Sequence, residues 1–418
     1  MKDIVIALKS TLQQYVTFFK WIIISIVTGV LVGIAGVLFH YGIEHSIELR
    51  EKFHWILLFL PVAGMIITYI YSIAKQEHDR GTNLIFLAIR QDEKITIKTA
   101  PLIFIGTILT HLCGGSAGRE GAALQLGGSI SSILAKPFKL DEKDKKILIM
   151  CGMSAGFASL FGTPVTATVF SMEVLSVGIM YYSALLPCTI SALVGSSILK
   201  LSGTSAPSYT LSHVPSVNLT SVSQTILLGI MCAVLGIIFC IAIKLSDKYF
   251  KKFIKNCYLR IFTGGVIVIL LTAAVGSFDY NSAGMNIIEL AVSGEARPEA
   301  FILKILFTAI TLGVGYKGGE IVPVFFTGST FGNVFGKLIG LSGSFGAGIG
   351  LTALFCAVTN CPLTSVMLAI ELFGIGSLPL FLIAIAVSYM LSGYFGLYSS
   401  QKIIYSKTRS EYIDMNSI

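Results

Sequence analysis

Charge is what this sequence has least of. Of its 418 residues only 12% are charged and 54% are hydrophobic, against roughly 25% charged in soluble domains. The mean hydropathy is +0.82. That balance excludes an ordinary soluble domain, and apolar runs recur along the whole chain, so the fold class is an all-α polytopic membrane protein. Catalytic signatures are equally scarce. No His-Glu-x-x-His and no Cys/His cluster occurs, so nothing supplies a metal site, and no catalytic nucleophile is expected. A membrane enzyme would have to use Glu120 and Glu320 as its acid/base pair, and the chain is not expected to be one. The eight cysteines have no paired spacing and mostly fall inside apolar runs. They read as small buried hydrophobes rather than disulfides or zinc ligands. No short apolar segment with a small-residue cleavage site opens the chain. The first run, from Trp21 to His40, reads as a retained helix rather than a signal peptide.

The net charge of +8 would suggest nucleic acid in a soluble chain. Here the cations sit in short connections: Lys136, Lys139, Lys143, Lys145 and Lys146; Lys251, Lys252, Lys255 and Arg260; Lys402, Lys407 and Arg409. The positive-inside rule makes such loops cytoplasmic, and nucleic acid is not an expected partner. Runs at 15–41 and 53–73 are long enough to cross about 30 Å of hydrocarbon. Others, at 102–113, 122–134, 147–160, 301–313, 346–358 and 362–374, are too short to cross upright. Short, Gly/Pro-interrupted segments are what a transporter with broken helices shows. Residues 1–15 suit a short interfacial helix, and 201–221 and 277–300 are polar connections. The polar tail from 401 is too short for a regulatory domain. The expected divisions are 1–222, 223–400 and a cytoplasmic tail, 401–418.

The rest is organised around Gly114-Gly115-Ser116-Ala117-Gly118-Arg119-Glu120-Gly121. Glycines break a helix in the bilayer and let backbone approach a ligand. A helix beginning there aims its free N–H groups and positive dipole end at the gap, which suits an anion. Glu120, at that N-terminus, can fill the anion site when no anion is present. A carboxylate in an apolar span is a functional candidate by default. The pattern recurs: Gly118-Arg119-Glu120 matches Gly318-Gly319-Glu320, and Gly128-Ser129 matches Gly328-Ser329, each 200 residues on. Thr163-Pro164-Val165-Thr166 matches Cys361-Pro362-Leu363-Thr364, and Glu173 matches Glu371, each 198 on. Two such halves with inverted topology would bring several helix N-termini together near mid-membrane.

These residues resemble the CLC family of chloride channels and anion/proton antiporters over nearly the whole chain. Gly118–Gly121 matches that family's Gly-Arg-Glu-Gly motif, which implies that Glu120 is the gating glutamate. Gly319-Glu320-Ile321-Val322-Pro323 matches Gly-x-Phe-x-Pro, with Ile321 in place of phenylalanine, and the N–H groups of Glu320 and Ile321 would face the anion. Leu397-Tyr398-Ser399 matches the context of the pathway tyrosine. The family's Gly-Ser-Gly-Ile-Pro-Glu is replaced by Gly81-Thr82-Asn83-Leu84-Ile85. The run Gly114–Gly121, Glu320 and the lack of an acid at Val174 resemble the fluoride-exporting branch, which also lacks that first signature. The resemblance implies a homodimer in a bacterial-type cell membrane, with Glu320 handling protons or anion. The expected anion-binding residues are Thr82, Asn83, Gly118, Arg119, Gly121, Ile321 and Tyr398, with Glu120 and Glu320 coupling protons. The partners are a halide, protons and membrane lipid; no cofactor is expected.

Fluoride/proton antiport is the first expectation. Chloride/proton antiport or passive chloride conduction is the second, since Thr82 keeps a hydroxyl, and a non-transporting scaffold is the third. Plainer roles compete at each residue. Thr82 and Asn83 can cap the following helix, Tyr398 can belong to an interfacial belt, and Glu320 can pair with Lys317. Arg119 suits tethering loop carbonyls, His111 suits a core histidine, and Glu173 and Glu371 suit bracing helix ends.

Overall fold

The computed structural model describes residues 2–77, 79–204, 208–376 and 378–418. In chain order come α1 (Lys2–Lys52), a 3₁₀ turn at His54–Phe59, α2 (Leu60–Ile73), α3 (Thr82–Gln91) and α4 (Thr99–Leu112). Next are α5 (Glu120–Leu134), α6 (Glu142–Phe161), α7 (Pro164–Glu173), β1 (Ser176–Val177) and α8 (Leu185–Leu201). The second half holds α9 (Leu219–Phe253), α10 (Cys257–Val275), α11 (Met285–Ser293), α12 (Ala300–Gly313) and α13 (Ile321–Leu338). It closes with α14 (Gly343–Thr359), α15 (Pro362–Phe373), α16 (Leu378–Leu391), β2 (Lys402–Tyr405) and β3 (Tyr412–Asn416). Among the described residues, five segments are long and apolar enough to cross a membrane, and several other apolar helices are shorter.

The interfacial helix expected at 1–15 is instead the start of the 51-residue α1, because no Gly or Pro separates the two stretches. α9 begins four residues before 223, capped by Asn218, whose side chain takes the Ser221 N–H at 2.9 Å. The tail is not shapeless either. β2 pairs antiparallel with β3 and parallel with β1, which ties the chain end to the α7–α8 connection.

Sidedness follows from the basic loops. The α5–α6 and α9–α10 connections are inside, and Lys20 on α1 meets Asp144, in the first turn of α6 beside the first of them, at 2.5 Å. α1 therefore runs outward, and its outer end, continuing into the His54 turn, meets Phe278 of the α10–α11 connection (ring centroids 4.6 Å apart). α4 and α5 then form a hairpin entering from the inside, and α12 and α13 one entering from the outside. Their Gly-rich apices meet. Gly118 N–H donates to Gly319 O at 2.7 Å, and Gly319 N–H to Gly118 O at 2.8 Å.

Each hairpin is backed by a tightly packed neighbour. A Cβ at Gly152 of α6 would collide with the Gly127 carbonyl of α5, and one at Gly332 of α13 with the Gly346 carbonyl of α14. Small residues at matched positions let both backbones approach closely, as in other membrane helix pairs. α7 and α15 also correspond. Each begins with proline after a residue held out of the helical region (Thr163 ψ 78°, Cys361 ψ 75°), as a residue before proline requires.

Candidate functional site

The site lies where the two apices touch. α5 starts at Glu120 and α13 at Ile321, with Glu320 as the N-cap of α13. The Glu120 carboxylate, fully buried, accepts a hydrogen bond from the Val322 N–H at the start of the opposite repeat's helix. Its Oε2 has no partner. The plug thus reaches across to the N-terminus of α13 from the start of its own helix, and the α13 amide that holds it belongs to Val322, one residue beyond Ile321. Gly118 and Gly319 are required for this approach. A Cβ at Gly319 would stand 2.7 Å from Glu120 Oε2, and one at Gly118 would overlap the carboxyl group.

Gly121 forms the other wall. A Cβ there would lie 3.0 Å from Thr82 Oγ1 and 3.5 Å from Glu320 Oε2, so the hydroxyl and the second carboxyl flank the same backbone. Thr82 donates a long hydrogen bond to Gly121 O, 3.4 Å, and Glu320 Oε2 is enclosed without a partner. Gly81, not Thr82 or Asn83, is the N-cap of α3, which removes the capping role for that pair. Tyr398 is 2% exposed, so it is no interfacial-belt residue. Its hydroxyl is unpartnered and within electrostatic range of both Glu320 and Glu120. Its ring packs edge-on against Phe86, 5.0 Å between centroids.

Asn83 is turned to the tyrosine's loop. Its Oδ1 accepts from Ser400 N–H at 2.9 Å and Ser400 Oγ at 2.7 Å. Arg90 donates to the Ser400 carbonyl, and Gln401 Nε2 reaches Val174 O at 2.9 Å and Thr359 O at 2.8 Å. Arg119 is buried but tethers no carbonyl. Its guanidinium donates to His40 Nδ1 at 2.8 Å and lies 5.9 Å from the Phe161 ring centroid. Ile321 is fully buried. His111 Nε2 lies 3.3 Å from Gly118 O, so the ring braces the first apex.

Three of the plainer roles resolve into contacts. Lys317 pairs with Asp79 at 2.8 Å rather than with Glu320, and among the described residues Glu320 forms no ion pair. Glu173 accepts from Leu363 N–H (3.0 Å), Thr364 N–H (2.8 Å) and Thr364 Oγ1 (2.6 Å). Glu371 accepts from Val165 N–H (3.0 Å) and Thr166 N–H (2.7 Å). Each late glutamate therefore caps the other repeat's helix. Asp79 and Lys304 lie outside the motifs that mark the site in the sequence. Lys304 was visible as the lone charge in an apolar run, and Asp79 was hidden in a polar stretch.

Residues 63–393 match the family described as voltage gated chloride channel. The chain belongs to the CLC family. A chloride/fluoride channel protein of Pseudomonas syringae pv. tomato is 36% identical, covering 93% of this chain and 87% of that one. An H(+)/Cl(-) exchange transporter of Vibrio cholerae is 23% identical over 87% of this chain and 85% of its own. Among solved structures, a CLC-type fluoride/proton antiporter superposes with a TM-score of 0.89 at 32% identity, covering 93% of this chain and 98% of that one. A cyanobacterial Cl-/H+ antiporter, at 21% identity and a TM-score of 0.76, shares the fold. The CLC architecture, with its inverted repeats and broken helices in a multi-pass membrane protein, is the one expected from the sequence.

Proposed function

We propose that this CLC protein is a fluoride/proton antiporter exporting fluoride across a bacterial-type cell membrane, as a homodimer with one path per subunit. The observation that carries the reading is the Glu120 carboxylate seated on the Val322 amide with its second oxygen unpartnered. A carboxylate and a halide compete for that position. Deprotonated Glu120 closes it. Protonation removes the charge, weakens the charge-assisted hydrogen bond, and lets the side chain leave so that a halide takes the amide. One residue then binds either a proton or the place of the anion, and the two movements are coupled.

Glu320, Thr82 and Tyr398 complete the reading. Fluoride is costly to dehydrate, so its path needs several N–H or O–H donors. Thr82 and Tyr398 carry hydroxyls, and a protonated Glu320 would offer a third O–H donor while carrying the proton. Gly118 and Gly121 provide backbone close to the ion. Asn83 and Arg119 contribute by fixing the Tyr398 loop and the first apex. The halves 1–222 and 223–400 each supply one hairpin, and 401–418 closes the inner face.

The Thr82 hydroxyl beside Gly121 favours a second reading, chloride/proton antiport or chloride conduction. Purified protein in liposomes, followed with fluoride and chloride electrodes and a proton probe, separates them. Fluoride efflux insensitive to chloride supports the first, and robust chloride flux the second. Glu120→Gln is expected to uncouple protons in a folded protein, and Glu320→Ala to impair proton-linked transport. Normal coupling in both variants refutes the assignment.

A further inference from the structure

Lys304 has no role in the path described above, yet it is 0% exposed on a membrane helix. It sits one turn inside the outer end of α12. Its ammonium donates to Ser282 O at 2.7 Å and Tyr280 O at 3.3 Å, and lies 5.0 Å from the Phe326 ring centroid. Those are neutral partners. Among the described residues Lys304 forms no ion pair. A buried cation without a counter-charge is expensive, and such residues in membranes mark ion pathways.

The loop that Lys304 grips is fastened to the gate. Ser282 N–H donates to Gly115 O at 3.1 Å, Ser282 Oγ donates to His111 O at 3.1 Å, and His111 Nε2 meets Gly118 O at 3.3 Å. Arg50 of α1 packs against Gly114 of the same apex. The charged and titratable groups in electrostatic range of Lys304 are Arg50 from α1, His111 from α4 and Glu120 from α5. Those in range of Glu120 are Arg119 beside it, with Glu320 and Tyr398 across the apex. Lys304 and Arg119 thus stand in electrostatic range of one carboxylate, with Arg50 in range of Lys304. The missing negative charge is the ionised plug or the halide that replaces it.

We propose that Lys304 is a positioning residue of the outer gate, whose buried ammonium draws the halide to the path and holds Glu120 ionised until a proton arrives. This rests on the antiport reading. It adds a residue outside the binding position that sets the pH at which the gate yields. Without the ammonium a neutral Glu120 is favoured, so half-protonation occurs at higher pH. A purely structural lysine, present to satisfy two carbonyls, would alter folding and leave that pH where it is.

The test is fluoride efflux from liposomes holding the full chain, with pH varied equally on both sides. For Lys304→Met and Lys304→Gln the pH of half-maximal efflux is expected to rise by about 1 unit, and the apparent KM for fluoride several-fold. Lys304→Arg should retain the native profile. In a Glu120→Gln background, Lys304→Met should produce no further pH shift. A folded neutral variant with the native midpoint overturns the proposal. So does loss of folded protein in both neutral variants while Lys304→Arg folds, which assigns the ammonium to holding the loop. Absence of any halide flux in the unmodified protein would instead defeat the antiport reading itself.

Discussion

Removing the Glu173 carboxylate distinguishes a fixed cap from a proton carrier. Glu173 is 6% exposed and takes two N–H groups from the first turn of α15 and one hydroxyl. In Glu173→Ala the amides of Leu363 and Thr364 lose their acceptor. At about 1–3 kcal/mol per buried orphan donor, the loss is about 2–6 kcal/mol. That is a large part of the about 5–15 kcal/mol that holds a typical protein folded. Glu173→Gln keeps one acceptor oxygen and is expected to lose about half as much. Glu371→Ala also frees two amides but no hydroxyl, whereas Glu173 holds the Thr364 hydroxyl as well, so its cost falls below that of Glu173→Ala. Thermal or detergent denaturation, followed by size-exclusion, gives the order. Fluoride efflux is then normalised to folded protein. A cap predicts lower stability with coupling intact. If Glu173→Ala melts like the native protein but loses proton coupling, the capping assignment is wrong. Glu173 would then be doing the work of the acid that many chloride antiporters carry one residue later, where this chain has Val174.

Two further outcomes follow from contacts near the apices. Lys317→Met leaves Asp79, whose side chain is 6% exposed, with the Gly81 N–H alone. It should cost about 1–3 kcal/mol, largely recovered in Lys317→Met/Asp79→Asn, and additive losses in the double-mutant cycle would show that the pair is not coupled. Gly332→Ala forces a Cβ into the Gly346 carbonyl and should cost about 1–3 kcal/mol, read as a lower denaturation midpoint; an unchanged midpoint would mean that α13 and α14 can separate freely.

Much of this fold was legible because its signals are local. Gly-rich breaks and prolines after them mark helix ends wherever they occur, and the repeated spacing aligns Gly118 with Gly318, one residue from the Gly319 it meets. Spacing does not say which helix a side chain will reach. Glu173 and Glu371 read as braces, yet the crossing of each to the other repeat depends on how the halves interlock. Asn83 meets Ser400 across 317 positions, and Arg119 meets His40. Neither partner leaves a trace in the neighbouring sequence. The tail hairpin leaves no mark in the sequence because strands of four and five residues are too short to show an alternating pattern. Lys304 was readable as a charge in a 13-residue apolar run, but its neutral partners were not.

Three carboxylates in this chain sit on helix N-termini of the opposite repeat, and the placement of a proline decides which can leave. In α7 and α15 the proline is the first helical residue, so the second and third keep their N–H groups. Those pairs, Val165 with Thr166 and Leu363 with Thr364, grip both oxygens of Glu371 and Glu173. In α13 the helix opens Ile321-Val322-Pro323. The second residue still donates to Glu120 Oε1, but the third has no N–H to give, and Oε2 is unpartnered. The same cradle is therefore built with one finger missing. Pro323→Ala restores the donor. It should convert a removable plug into a cap like Glu173, strengthening its hold by about 1.5 kcal/mol, near the lower end for a hydrogen bond to a charged group. That corresponds to about tenfold slower efflux at neutral pH, with the difference vanishing at acid pH, where Glu120 is protonated in both proteins, and in a Glu120→Gln background. If Pro323→Ala transports at the native rate across that range, the number of amides on Glu120 does not control its release, and the contrast with Glu173 and Glu371 carries no functional meaning.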